Sequence, residues 1–152
     1  MIPRACLSLG VLLLLSCGSG KAPPAHLDTA NEACRFCRMP VSDRRLAAQI
    51  AAPGEEPVFF DDIGCLRDFL RGRPSSEGEI AYVVDRRTVS WVRAADAAFS
   101  RCPSFETPMG SHLVAHADAS SRDADAAISD CAPITAQEVF GAGSPNGREG
   151  GN

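Results

Sequence analysis

The apolar positions of this chain change rhythm several times. Residues 7–15 (Leu7-Ser8-Leu9-Gly10-Val11-Leu12-Leu13-Leu14-Leu15) are almost continuously apolar. That run is too short for a membrane-spanning helix and has the length of a signal-peptide core. Residues 18–31 are mostly Gly, Ser, Ala and Pro without a period, which predicts a flexible tether. Residues 46–51 and 57–60 read as short strands on either side of a Pro53-Gly54-Glu55-Glu56 turn. Ile63, Leu66, Phe69 and Leu70 then share one helical face, with Asp61 placed to cap that helix and Asp62 in its first turn. Residues 79–85 supply a third strand. The second half reads in the same order: a strand at 88–93 with a short helix at 94–99, an alternating strand at 111–116, a helix from Ser120 or Ser121 through Cys131, and a strand at 133–140. The pattern predicts an α+β fold in which two ββαβ subdomains, about residues 32–86 and 87–140, form one small globular unit. A Gly-rich tail, 141–152, has nothing to bury.

The segment ahead of the domain assigns a compartment. Arg4 precedes the apolar run, which ends in Leu14-Leu15-Ser16-Cys17 followed by Gly18-Ser19-Gly20. A small residue before a cysteine at that junction is similar to a bacterial lipobox. Residues 1–16 are then a lipoprotein signal, Cys17 carries lipid, and 17–31 form anchor and tether. The competing reading is an ordinary signal cut nearby with Cys17 incidental. Both give an exported protein; the first anchors it to a bacterial membrane, facing the periplasm or cell exterior. The formal charge of −4 and the lack of a basic patch or stacking aromatic series exclude nucleic acid as the expected partner.

Sulfur carries most of the chemistry. Of the 7 cysteines, Cys6 leaves with the signal and Cys17 is committed to lipid. Cys34, Cys37, Cys65, Cys102 and Cys131 remain, an odd set that disulfides alone cannot consume. If Cys102 pairs with Cys131, the other three lie in the half of the chain that holds Met39. Both a metal site and two disulfides with one free thiol satisfy that count. Thiol and thioether side by side in Cys34-Arg35-Phe36-Cys37-Arg38-Met39 are soft donors of the kind that select Cu(I). Met109, flanked by Pro108 and Gly110, is placed as a third sulfur ligand beside Cys37 and Met39. Cys34 is either a further thiolate or the partner of Cys37 in a redox-switchable disulfide, and Cys65 either a ligand or a packing residue. An imidazole ligand would have to be His112 or His116, four apart on one strand face and more commonly surface residues; His26 sits in the tether. The alternatives are a zinc-stabilised domain using Cys34, Cys37, Cys65 and one more cysteine, and a carbon–mercury lyase with Asp61 or Asp62 beside Cys65. Neither uses the methionines. No nucleophile–base pair or phosphate loop supports other catalysis, and no enzyme is expected.

These pieces, in order, resemble the NosL family, lipoproteins associated with nitrous oxide reductase maturation. The resemblance rests on Cys17, Cys34-x-x-Cys37-x-Met39, Leu46-Ala47-Ala48-Gln49-Ile50, Phe60-Asp61-Asp62-Ile63-Gly64-Cys65, Tyr82-Val83-Val84-Asp85, Trp91-Val92-Arg93-Ala94 and Thr107-Pro108-Met109-Gly110. It covers most of residues 34–140. It implies paired ββαβ subdomains akin to organomercurial lyase, and delivery of Cu(I) to a periplasmic copper enzyme such as nitrous oxide reductase. A copper-linked ABC transporter would be a further partner. The family's Cys-x-Met pair maps onto Cys37 and Met39, and its later methionine onto Met109. Two departures stand out. The family usually has glycine where this chain has Arg38, and the histidine that some members carry after the methionine is missing from residues 41–46.

Overall fold

The computed structural model describes residues 21–71, 73, 74, 76 and 78–141. The signal segment, Cys17 and the tail beyond Gly141 lie outside the described residues. Among the described residues, two antiparallel sheets, three α-helices and two 3-10 turns make the α+β unit. The first sheet has the order β2-β1-β3-β4, built from β1 (Ala48–Ala51), β2 (Val58–Phe60), β3 (Ile80–Asp85) and β4 (Ser90–Arg93). The second has the order β6-β5-β7, from β5 (Ala98–Arg101), β6 (Leu113–His116) and β7 (Ala132–Ile134). Helix α1 (Ile63–Arg71) connects β2 to β3, while α2 (Ala119–Asp123) and a 3-10 turn (Ala126–Ile128) connect β6 to β7. Helix α3 (Ala136–Phe140) closes the chain.

The two halves share one plan. In each, the first strand lies in the middle and pairs antiparallel with the second and third, so the helical connection crosses over it. The duplicated ββαβ unit is therefore present, but the second copy starts at β5. Strand β4 pairs with β3 and belongs to the first sheet, which moves the division between the halves from residue 86 to beyond Arg93.

Period-2 alternation distributes side chains between two faces of the first sheet. Ala48, Ile50, Ala81 and Val83 face a core with Phe60 and with Ile63, Cys65, Leu66 and Leu70 of α1. Phe99, Leu113, Ala115, Val139 and Phe140 from the second half enter the same core, and Phe99 meets Phe140 edge-on at 5.6 Å. The other face presents Ala47, Gln49, Ala51, Ile80, Tyr82 and Val84, all buried. It is covered by the segment expected to be a flexible tether.

That expectation is corrected from Ala22 onward. Ala22 packs on Ala51, Ile80 and Tyr82, and Leu27 packs on Val41, Ala47, Phe59 and Val84. The Tyr82 hydroxyl donates to the Ala22 carbonyl at 2.7 Å. Gln49 holds Ala25 at both backbone groups, accepting from its N–H at 2.8 Å and donating to its carbonyl at 3.1 Å. Two apolar residues and a buried amide thus convert a polar-looking segment into a strap. It runs from the β1 C-terminal end at Ala22 to the β1 N-terminal end at Leu27. Gln49→Leu, of similar volume, is expected to lower stability by about 1–2 kcal/mol and to speed amide exchange at residues 22–27 selectively, as hydrogen–deuterium exchange would show. Unchanged exchange there would mean that apolar packing alone holds the strap.

Three further expectations are overturned by tertiary pairing. Residues 94–99 form a turn and then β5, not a helix, because the second sheet needs its central strand there. The helix expected from Ser120 or Ser121 to Cys131 is capped one turn earlier by Asp118, which accepts from Ser121 N–H, and it ends at Asp123. The Asp125 carboxylate then accepts from Ala127 N–H and starts a separate 3-10 turn. Residues 133–140 are not one strand: Thr135 and Glu138 form a capping box that turns the chain into α3 after Ile134. Cys102 and Cys131 form a disulfide, around which Leu46, Val114 and Ile128 gather as a satellite cluster.

Candidate metal centre

Residues 32–41 form a tight reversal at the Phe60 end of β2. Cys34 N–H donates to the Met39 carbonyl at 2.8 Å, and Arg38 N–H donates back to the Cys34 carbonyl at 2.9 Å. Val41 N–H reaches Glu32 O at 3.0 Å, and Arg35 N–H reaches Phe59 O at 2.8 Å, which ties the turn to β2. The reversal requires a left-handed residue after Cys37, and Arg38 takes it at φ +67°. Such a conformation disfavours a side chain by roughly 1–2 kcal/mol, a cost that glycine would not carry. Arg38→Gly is accordingly expected to stabilise the metal-free domain by up to about 1 kcal/mol, the gain being trimmed by glycine's greater unfolded-state freedom; a shifted urea midpoint would show it.

The folded-back turn aims backbone donors at sulfur. Cys34 receives the thiol proton of Cys65 and the N–H groups of Asp61, Cys37 and Phe36. Against the opposing pull of burial, these hold the Cys34 thiol down to about 4, a thiolate at neutral pH. Cys65 is the third residue of α1 and is buried. Its proton is retained because it is donated to Cys34 and because burial disfavours a second charge, so its pKa lies well above the usual thiol value. Burial likewise pushes the half-buried Cys37 upward, with the Met39 N–H acting in the opposite direction. The three sulfurs lie within 4.8 Å of one another. One thiolate and two thiols thus share a pocket whose open side is Cys37.

The carboxylates beside the cluster have structural partners. Asp61 does not cap α1; its Oδ1 accepts from Ser42 N–H at 2.6 Å and Ser42 Oγ at 3.1 Å, and burial raises its pKa. The residue immediately ahead of the helix is Asp62, which accepts from Gly64 N–H at 2.5 Å and from Met109 N–H at 3.1 Å. That second bond lays the Met109 loop against the start of α1, three residues from Cys65. Contact is close enough that a Cβ on Gly64 would lie 2.6 Å from Ser111 Cβ, so glycine is required there. Met39 and Met109 are both exposed, on the two loops that flank the thiols.

The histidines go elsewhere. His112 has φ +56° and precedes β6, which breaks the alternation expected to place it with His116. Its Nδ1 pairs with the Phe105 carbonyl at 3.0 Å, and it is not a member of the sulfur cluster. His116 is fully buried rather than superficial, 3.1 Å from an Asp125 carboxylate that also binds Arg86. His26 belongs to the strap. The sequence placed Cys34, Cys37 and Cys65 as candidates; it gave no sign of the Asp61 N–H, because backbone donors carry no side-chain signature. Among the described residues no helix is long and apolar enough to cross a membrane. No family model, curated protein or solved structure matches the chain.

Proposed function

We propose that this chain is an exported, membrane-tethered Cu(I) carrier that hands its ion to a copper enzyme outside the cytoplasm, such as nitrous oxide reductase. The observation that carries the reading is the convergence of three thiols within 4.8 Å, with exposed thioethers on both adjoining loops. Such a cluster can hold a metal ion, and thiolate with thioether is the donor set that favours a soft monovalent one. Cys34, Cys37 and Cys65 would bind the ion, and Met39 and Met109 would stand at its point of entry and exit.

Two rival readings fit less well. A closed structural zinc site takes four protein ligands, and the His, Cys, Asp and Glu side chains of the described residues bring three together here. Carbon–mercury bond cleavage needs a carboxyl group free to deliver a proton, whereas Asp61 is engaged by Ser42 and Asp62 by two backbone amides. We therefore assign no catalysis. The strap also suits a carrier: Ala22 lies at the Ala51 end of β1, and the thiols lie toward the opposite end.

The test is competition of Cu(I) and Zn(II) against chromogenic chelators under anaerobic, reducing conditions, for the native chain and a Met39→Ala, Met109→Ala double variant. One-to-one Cu(I) binding that weakens in the variant is expected. Retention of Zn(II), with Cu(I) affinity indifferent to the methionines, would replace the carrier with a zinc-stapled domain.

A further inference from the structure

Four large apolar side chains stand exposed among the described residues: Phe36 (48%), Met39 (57%), Met109 (50%) and Val89 (42%). The first three surround the thiol cluster. Phe36 and Met39 lie in the turn that carries Cys34 and Cys37, and Met109 lies in the loop bonded through Asp62 to the first turn of α1. Leaving such side chains in water is unfavourable, and a grouped apolar patch with a polar rim marks an interaction surface. The rim here is cationic. Arg35 and Arg38 are exposed and neither has a carboxylate within ion-pair distance among the described residues. Arg35 lies 5.9 Å from the Phe69 ring, while Arg67 on α1 and Arg73 beyond its end are neutralised by Asp68 and Glu79 respectively. Acidic residues of the same two segments are Glu32, partly exposed at the start of the reversal, and Glu106, exposed on the Met109 side. Two unpaired cations beside a metal opening contrast with a chain whose overall charge is −4.

Resting on the carrier reading, we infer that this collar is the docking surface for a protein acceptor whose metal-receiving face is apolar and rimmed by carboxylates. Phe36, Met39 and Met109 are its anchors, and Arg35 and Arg38 set approach and orientation, the role rim charges play in association. An anionic membrane is the weaker fit, since basic clusters that hold lipid surfaces have about 4–8 cations. The strap, moreover, places the collar at the end of the sheet away from residue 21.

The experiment uses the full chain carrying Cys17→Ser, which cannot be lipidated. Two synthetic acceptor peptides share a Cys-x-x-Cys core and apolar flanks and differ only in bearing glutamates or lysines. Transfer of Cu(I) to each is followed by stopped flow, and binding of each to the metal-free protein by fluorescence anisotropy. Transfer to the acidic peptide is expected to be at least about tenfold faster at low salt, the difference collapsing in high salt. Anisotropy should show the same preference. Arg35→Glu with Arg38→Asp, aspartate being tolerated at a left-handed position, should reverse the order, and Phe36→Ser should weaken both peptides. Equal behaviour of the two peptides, with and without metal, overturns the docking surface. So does binding to phosphatidylglycerol vesicles that is lost in the charge-reversed variant while the peptides stay undiscriminated. If the chain retains no Cu(I), the carrier reading fails in the titration and the anisotropy alone decides the surface.

Discussion

Cys34→Ser is expected to weaken metal retention more than any other single exchange at the site, by well over 100-fold. Partners that merely orient a ligand are worth roughly 10–100-fold in metal affinity, and Cys34 is the group being oriented. Three backbone N–H groups and the Cys65 thiol converge on its sulfur. A serine hydroxyl in that nest stays protonated and is a hard donor, so the site loses both its standing charge and one soft ligand. Proton release supplies an independent check. Because Cys34 is already a thiolate and Cys37 and Cys65 are not, uptake of one ion by all three sulfurs should release about two protons at pH 7. Affinity should therefore rise with pH until those two thiols ionise freely. Cys34 belongs to the buried cluster that holds Phe60, Phe99 and Phe140, so circular dichroism and a urea midpoint of the metal-free variant must first show that the near-isosteric serine keeps the fold. Native-like Cu(I) affinity in Cys34→Ser would make the three thiols packing residues and end the metal assignment.

The thiol cluster was legible for reasons of counting and softness, not of geometry. With Cys6 expected to leave in a signal and Cys17 expected to carry lipid, setting aside the Cys102–Cys131 disulfide leaves Cys34, Cys37 and Cys65, and the fold brings those three together. What counting cannot show is protonation. That depends on the Asp61 and Phe36 amides and on the hydrogen bond from Cys65, which exist only once β2, α1 and the Cys34–Met39 reversal are assembled. The first ββαβ unit was equally plain because local pattern and final packing agree: Ile63, Leu66 and Leu70 bury the face that their spacing marks. In the second half they disagree. The alanines around residue 97 favour a helix by intrinsic propensity, yet the segment becomes the centre of a sheet because β6 and β7 pair on either side of it. The strap was missed because its holding groups are remote in sequence; nothing near Ala25 announces that Gln49, 24 residues away, will bind both its backbone groups. The turn into α3 did carry a readable signal. Thr135-x-x-Glu138 is a capping box that a reading in terms of alternation passed over.

Asp85 is where a single substitution should do most harm to the fold, because one carboxylate closes the β3–β4 turn and joins the two halves. Fully buried at the end of β3, it accepts from Arg87 and Thr88 N–H groups through Oδ1, both at 2.9 Å. Its Oδ2 accepts from Ala117 N–H at 2.8 Å and Ser121 Oγ at 2.6 Å, the latter two at the junction of β6 and α2. Burial alone would raise its pKa, but the hydroxyl and three amides outweigh burial and hold it down to about 2. Asp85→Asn keeps the shape and loses the match, since an amide must turn its NH₂ toward one pair of donors. Backbone N–H groups cannot rotate away, so at least one is left buried without an acceptor. The expected loss is about 3–4 kcal/mol. Acid titration carries the sign. A carboxyl whose folded pKa is depressed contributes stability that is complete above its unfolded value, near 3.8, and that fades as pH falls through the folded value. Roughly 2 kcal/mol of native stability should therefore disappear between about pH 4 and pH 2. Asp43, Asp68 and Asp125 are also shifted downward and add to the acid sensitivity. The informative quantity is thus the difference between native and Asp85→Asn unfolding free energies by urea denaturation at each pH. That gap should be widest near neutrality and narrow by roughly 2 kcal/mol toward pH 2. A gap independent of pH would show that the asparagine harms packing alone, and that the two halves are joined by their shared apolar core rather than through the Asp85 charge.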